Sequence, residues 1–166
     1  YCQDTEMSWL AWGEHGSGRS ERDEAFCAFA RGLVGVRRNL GLFCRSHFLH
    51  GNPVTEEDAN GQAVKDVCWL RSDGGEMTEA DWHSENPRVL GLVLADGDGH
   101  RVLLMCNGGT EDIVFHLPEA LKRFEWRALF STADATVHPA LDGPVAAAPF
   151  HVEQRSMRAL EGRAPR

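Results

Sequence analysis

The apolar residues of this chain change their spacing once, near residue 50, and that change limits the folds open to it. Before it, Phe26, Phe29, Ala30, Leu33 and Val34 recur at i, i+3, i+4, i+7 and i+8, the spacing of one helical face. Ser20 followed three residues later by Asp23 forms a capping box, with Asp a weaker partner there than Glu. Arg37 and Arg38 suit the negative end of the helix dipole, and Asn39 with Gly41 supplies the stop. Gly32 and Gly35 each lower helix propensity by about 1 kcal/mol relative to Ala. A helix is predicted over 21–38, preceded by an irregular stretch through Trp12 and a flexible loop marked by Gly13, Gly16 and Gly18.

After residue 50 the period is that of strands. Short runs at 64–71, 89–95, 101–107, 112–117, 125–131 and 155–160 are bounded by turn residues. Asp96-Gly97-Asp98-Gly99 reads as a hairpin turn between two of them, and Asn107-Gly108-Gly109 as the join of the next pair. The stretch 72–88 interrupts the series, with Thr78 and Asp81 capping one helical turn that holds Trp82. Several short strands with regular turn signals indicate an antiparallel β-sandwich or barrel. Pro165 and its neighbours read as a frayed tail, and no internal repeat is visible. A chain of 166 residues suits one domain with, at most, a short appendage. At this size roughly 70% of the unfolded surface is buried, enough for a core without metals or disulfides.

Charge then excludes partners. Seventeen basic against 25 acidic residues give a net charge of −8. The first 50 residues are balanced at six of each, so residues 51–166 carry the whole excess. Such a chain repels phosphate backbones and anionic lipid, so neither nucleic acid nor a membrane surface is an expected partner. No apolar run approaches a membrane span, and nothing near residue 1 resembles a signal peptide. Cys2, Cys27, Cys44, Cys68 and Cys106 are odd in number and never spaced as CxxC, which suits inert thiols in a reducing cytoplasm. The chain opens on Tyr1 rather than methionine and reads as a piece of something longer.

Motifs that carry chemistry are scarce. The two aspartates of 96–99 invite a calcium reading, but His100 and Arg101 stand where an EF-hand loop needs further ligands, and a hairpin turn accounts for the same residues. His47 and His50 lack a third ligand at zinc spacing. There is no G-x-S-x-G elbow, P-loop or G-x-G-x-x-G. No metal and no cofactor is expected. Trp69 and Trp126 fall inside strand runs and are expected in the core, whereas Trp9 and Trp12 lie on a loop.

The opening Tyr1-Cys2-Gln3-Asp4-Thr5-Glu6-Met7-Ser8-Trp9-Leu10-Ala11-Trp12 resembles the Y-C-Q-D-N-E-x-S-W-L-x-W segment of bacterial glycogen debranching enzymes of the isoamylase type, in the α-amylase superfamily. The similarity continues through Val36-Arg37-Arg38, Phe48-Leu49-His50-Gly51 and Asp66-Val67-Cys68-Trp69-Leu70-Arg71. It resumes at Asp73-Gly74-Gly75-Glu76-Met77-Thr78-Glu79-Ala80-Asp81-Trp82 and again at Val152-Glu153-Gln154-Arg155-Ser156-Met157. The resemblance implies a location. Residues 1–46 would be a remnant of a (β/α)8 catalytic barrel, its top loop and last helix, and residues 47–166 the C-terminal β-sandwich.

It also implies what this stretch lacks. The family cleaves α-1,6 branch linkages of glycogen and limit dextrins with retention. Its Asp nucleophile, Glu acid/base and transition-state Asp stand on barrel strands upstream, so no catalytic residue is assigned here. The chain alone is expected to be inactive, because retaining chemistry needs two carboxyls held about 5 Å apart. Tyr1, Gln3, Asp4, Glu6, Trp9 and Trp12 are candidates for the rim of the substrate cleft, since barrel ligands bind at the loops after the strands. Thr5 stands where Asn is usual, and Leu40-Gly41 replaces the usual His-Pro. The implied partners are the parent barrel and, through it, branched α-glucan. The helix face holding Phe26, Phe29 and Leu33 is expected to be an apolar patch in isolation, prone to self-association. Two further readings follow: a non-catalytic glucan-binding module, which needs solvent-facing, coplanar aromatics such as Trp9, Trp12 or Trp82, and a standalone β-sandwich interaction protein.

Overall fold

The structure, a computed structural model, describes residues 3–9, 20–56, 63–85, 88–139 and 142–164. Helix α1 (Glu21–Asn39) begins at Ser20, whose hydroxyl accepts from the Asp23 N–H at 3.2 Å while the Asp23 carboxylate accepts from the Ser20 N–H, also at 3.2 Å. The predicted capping box is therefore formed. The helix closes with Leu40 donating its N–H to the Val36 carbonyl, and a single 3₁₀ turn follows over Gly41–Phe43.

Among the described residues nine strands follow: β1 (Val67–Leu70), β2 (Val89–Ala95), β3 (Arg101–Asn107), β4 (Ile113–Phe115), β5 (Glu125–Ser131), β6 (Thr136–Val137), β7 (Val145–Ala146), β8 (Phe150–Val152) and β9 (Ser156–Arg163). Short helices α2 (Glu79–Trp82) and α3 (Glu119–Lys122) interrupt them. The main sheet runs β1-β2-β3-β9-β5-β6 with β7 also paired to β5, and β4 pairs with β8 in a second, two-stranded sheet; every pairing is antiparallel. The architecture is the expected antiparallel β-sandwich, with sheets of very unequal size.

Alternation within the strands builds a core on each face of the main sheet. Val93, Leu103, Met105, Leu160 and Trp126 point to one side, where Phe115, Phe150 and Val152 of the small sheet and Leu121 of α3 cover them. Val102, Ala159, Leu129 and Phe130 point to the other, against Val36, Leu40 and Leu42. A bulge between Ala128 and Phe130 in β5 turns both Leu129 and Phe130 to the helix side, where strict alternation would supply only one.

Three expectations from the sequence are corrected. The asparagine-glycine stretch at 107–109 does not join a hairpin: β3 already has β2 and β9 on its two edges, so the chain leaves for the small sheet. Of the apolar patch expected from Phe26, Phe29 and Leu33, Phe26 is open at 69% exposure, but Leu33 packs on the core with Val36 and the cap residue Leu40, and Val34 is 54% exposed. Contact is close at Gly32, where an added Cβ would lie 2.9 Å from the Val137 Cβ. Finally, Trp126 is in the core, donating to the Leu121 carbonyl at 3.1 Å, but Trp69 is 41% exposed. In β1 the inward face is taken by Cys68 and Leu70, so Trp69 faces the opposite side at the sheet's edge.

The turn at 96–99 is a hairpin turn, as its residues predict. Asp96 Oδ1 accepts from the N–H groups of Asp98 (3.0 Å) and His100 (2.9 Å), and Oδ2 lies 3.1 Å from His100 Nδ1, so the loop itself uses both oxygens. The frayed tail predicted at Pro165 and the glycine loop at 13–18 lie outside the described residues.

Candidate functional site

Three stretches that carry the resemblance, 48–51, 66–71 and 73–82, meet at two knots. At the first, the Asp66 carboxylate accepts from the backbone N–H groups of His50 (3.0 Å) and Gly51 (2.7 Å), while the Asp66 N–H donates to the Asn52 carbonyl. Gly51 sits at φ +74°, a conformation that favours glycine. Burial alone would push the Asp66 carboxyl up, but the N–H donors of His50, Gly51, Val67 and Asn52 outweigh it and hold the group below the usual carboxylate range.

A carboxyl depressed by folding stabilises the protein above its unfolded pKa of about 4, and that stabilisation is lost as pH falls through the folded value. Asp66→Asn is therefore expected to lower stability near neutral pH by about 1–2 kcal/mol. It should also flatten the loss of stability between about pH 5 and 3. Urea unfolding midpoints across that range measure both.

At the second knot, Arg71 binds Asp73 (3.1 Å), Asp81 (3.2 Å) and the Glu76 carbonyl (3.1 Å). Thr78 and Asp81 form the predicted capping box of α2. The Arg71 N–H donates to the Gly75 carbonyl and the Met77 N–H to the Trp69 carbonyl, so the 75–77 segment occupies the outer edge of β1. Gly74 (φ +88°) makes the turn, and an added Cβ at Gly75 would meet the Arg71 guanidinium at 2.2 Å. Lys65 and Glu76 close the knot with an ion pair at 2.8 Å.

Two carboxylates on one guanidinium look at first like the acid and nucleophile of a glycosidase. Their electrostatics oppose that role. Hydrogen bonds from Arg71 and from the Gly75 N–H hold Asp73 low, and the Thr78 hydroxyl and N–H, then Arg71, hold Asp81 low. A glycosidase general acid needs its pKa raised. Cys68, half-buried beside Glu76, is pushed up to about 12 chiefly by burial, so it is no nucleophile near neutral pH. No group of three or more His, Cys, Asp or Glu among the described residues is placed to hold a metal.

Beside the second knot, Trp69 and Trp82 form a corner. Their ring centroids are 5.7 Å apart with planes at 81°, and Trp82 is 48% exposed. Trp82 is solvent-facing, but the pair is perpendicular and forms no flat platform. Trp69 was missed as a surface residue because its run gives no sign that it belongs to an edge strand.

Of the rim candidates, Gln3, Asp4, Glu6 and Trp9 are described and exposed. Asp4 accepts the Trp9 indole N–H, and Ser8 donates to the carbonyls of Gln3 and Thr5, both at 2.9 Å, so this segment is braced locally. Tyr1 and Trp12 lie outside the described residues. Leu40, where the resembled family has His, is buried in the core cluster that joins α1 to the main sheet, with Val36, Leu42 and Leu129.

The fold and these knots define a β-rich domain in which the two carboxylates gathered by Arg71 are held below the usual carboxylate range. No family model matches the chain. Its relatives are consistent in kind. It is 31% identical over 146 residues to the "Glycogen operon protein GlgX homolog" of Mycobacterium tuberculosis, a match covering 81% of this chain and 19% of that protein. It is 32% identical over 151 residues to the "Glycogen debranching enzyme" of Cronobacter sakazakii, covering 91% of this chain and 18% of that protein. The GlgX homolog of Haemophilus influenzae is 26% identical over 137 residues. The chain is a relative of the bacterial glycogen debranching enzymes and spans less than a fifth of their length.

Proposed function

We propose that the chain is the C-terminal portion of a glycogen debranching enzyme, with residues 1–46 the top loop and last helix of its catalytic barrel and residues 47–166 the β-sandwich that supports it. The single observation that carries this reading is the likeness of nearly the whole chain to under a fifth of each relative. The parent enzyme hydrolyses α-1,6 branch linkages in glycogen and limit dextrins. Its reacting carboxylates lie outside this chain, and Gln3, Asp4, Glu6 and Trp9, with Tyr1 and Trp12, contribute to the cleft rim. Its compartment is the cytoplasm; no helix among the described residues is long and apolar enough to cross a membrane.

The barrel contact falls on the outer face of α1. Phe26 and Val34 are exposed there, and a groove of about 580 Å³ runs between Ala25, Phe29 and Gly32 of the helix and Val137, His138 and Pro139. Phe26→Glu with Val34→Glu is expected to leave the chain's unfolding midpoint unchanged within about 0.5 kcal/mol, as surface changes do. The same double change should abolish any self-association in sedimentation and any binding to the separately expressed remainder of the enzyme. Unaltered binding to that remainder overturns this placement.

A second reading, glucan binding without catalysis, needs coplanar solvent-facing aromatics; Trp82 faces solvent, but its ring stands at 81° to that of Trp69, which counts against a stacking platform. Retention on immobilised glycogen tests it.

A further inference from the structure

We propose that Arg101 and Arg123 form a binding site for a phosphate group, free or carried on an ester, at the end of the main sheet where β3 begins. Arg101 is only 5% exposed, and alternation along β3 places it on the face that Leu103 and Met105 share. Its guanidinium carbon lies 3.8 Å from the centre of the Phe124 ring, and that of Arg123 lies 5.1 Å from the same centre. One ring therefore gathers two cations.

The hydrogen bonds of Arg101 are incomplete on one edge. Nη1 donates to the Gly99 carbonyl at 2.7 Å, whereas Nε is buried and meets no acceptor among the described residues. The edge left over, Nε with Nη2, is the one that takes two oxygens of an oxyanion side by side. An aromatic face attracts a cation but does not replace an acceptor for its N–H groups. Buried donors are seldom left in this condition, and their pairing calls for a physical explanation.

The charge is likewise uncompensated. Among the described residues the neighbouring carboxylates are engaged elsewhere: Glu119 pairs with Lys122, and Glu125 with Arg127 at 2.8 Å. Burial first, and the Arg123 charge second, act against the charged form of Arg101; Asp96 offsets only part of this, and its own turn uses both its oxygens. A buried cation is tolerated when an anion pairs with it. A phosphate group brings about −1.5 to −2 charges at neutral pH, which matches two guanidiniums better than a single carboxylate does. Arg123 is exposed and opens the site to solvent, with the Thr55 hydroxyl 3.5 Å from its Nη2. The net charge of −8 opposes a long polyanion, but a small anion feels chiefly the charges within a Debye length, about 8 Å at physiological salt.

Nuclear magnetic resonance of the isotopically labelled 166-residue chain tests this. The Arg101 Nε–H signal and the backbone amides of Gly99 and Phe124 are followed while inorganic phosphate, methyl phosphate or sodium chloride is added at matched ionic strength. The expected result is a saturable shift of these signals with phosphate and none with chloride. Arg123→Ala, a change at an exposed position that leaves the fold intact, should weaken the phosphate response about tenfold. Arg22→Ala, which removes the same charge from α1, should leave it unaltered. A response to methyl phosphate equal to that of inorganic phosphate assigns the site to ester-borne groups, and a response to inorganic phosphate alone assigns it to the free anion. The proposal is overturned by the absence of a saturable shift with either phosphate, by an equal shift with chloride, or by an unchanged phosphate titration in Arg123→Ala.

Discussion

Phe115→Ala is expected to destabilise the chain by about 3–5 kcal/mol, the largest single loss among its core positions. Phe115 is fully buried in β4 and packs across to Gly91 of β2, where an added Cβ would lie 2.4 Å from its ring. The glycine has no side chain because the phenyl ring occupies that space. Removing the ring leaves a cavity that Gly91 cannot fill and uncouples β4 from the main sheet. Since domains of this size are stable by only about 5–15 kcal/mol, the variant should lose a large fraction of its stability. Thermal unfolding followed by near-ultraviolet circular dichroism measures the loss. A midpoint within a few degrees of the parent would show that the small sheet contributes little to the core.

Asn107→Leu is expected to cost on the order of 3 kcal/mol, because leucine fills the space but leaves several buried groups unpaired. The Asn107 side chain is 1% exposed. Its amide nitrogen donates to the carbonyls of Glu111 (2.8 Å), Val152 (3.1 Å) and Glu153 (3.1 Å), and its oxygen accepts from the Gly109 N–H (2.9 Å). These bonds hold the end of β3 to the segment leading into β4 and to the end of β8. They also give a physical role to the stretch beginning at Val152, one of those that carry the family resemblance. Chemical denaturation should show a lower midpoint with a largely unchanged slope. Asn107→Asp keeps the acceptor but removes the donors and is expected to cost at least as much.

Strands with long uninterrupted spans were legible from residues alone. The ranges 89–95, 101–107 and 125–131 are those of β2, β3 and β5, and both capping boxes formed as their spacing indicates. What escaped was short or non-local. Strands β6, β7 and β8 have two or three residues each, too few for a period to show. The order of strands depends on which edges are free, so Gly108 and Gly109 looked like a hairpin when β3 had no edge left to offer. The packed helix face shares Leu33 with the expected one but extends to Gly32, where an added Cβ would lie 2.9 Å from the Val137 Cβ and which has no hydropathy to signal that contact.

The candidate site was half visible. Trp82 could be located from its capped turn, whereas Trp69 has the same neighbours as a core tryptophan and differs only in lying on an edge strand. The acidic residues of 73–81 gave no local sign that Arg71 gathers two of them. That knowledge requires β1 and the following loop to be folded against each other.

The most direct measurement compares two proteins on branched limit dextrin: the 166-residue chain by itself, and the longest protein its gene encodes. Linear maltooligosaccharides released by the longer protein, with none above background from the chain, is the outcome expected of a supporting domain whose reacting carboxylates lie elsewhere. Linear chains released by the 166 residues alone would contradict it.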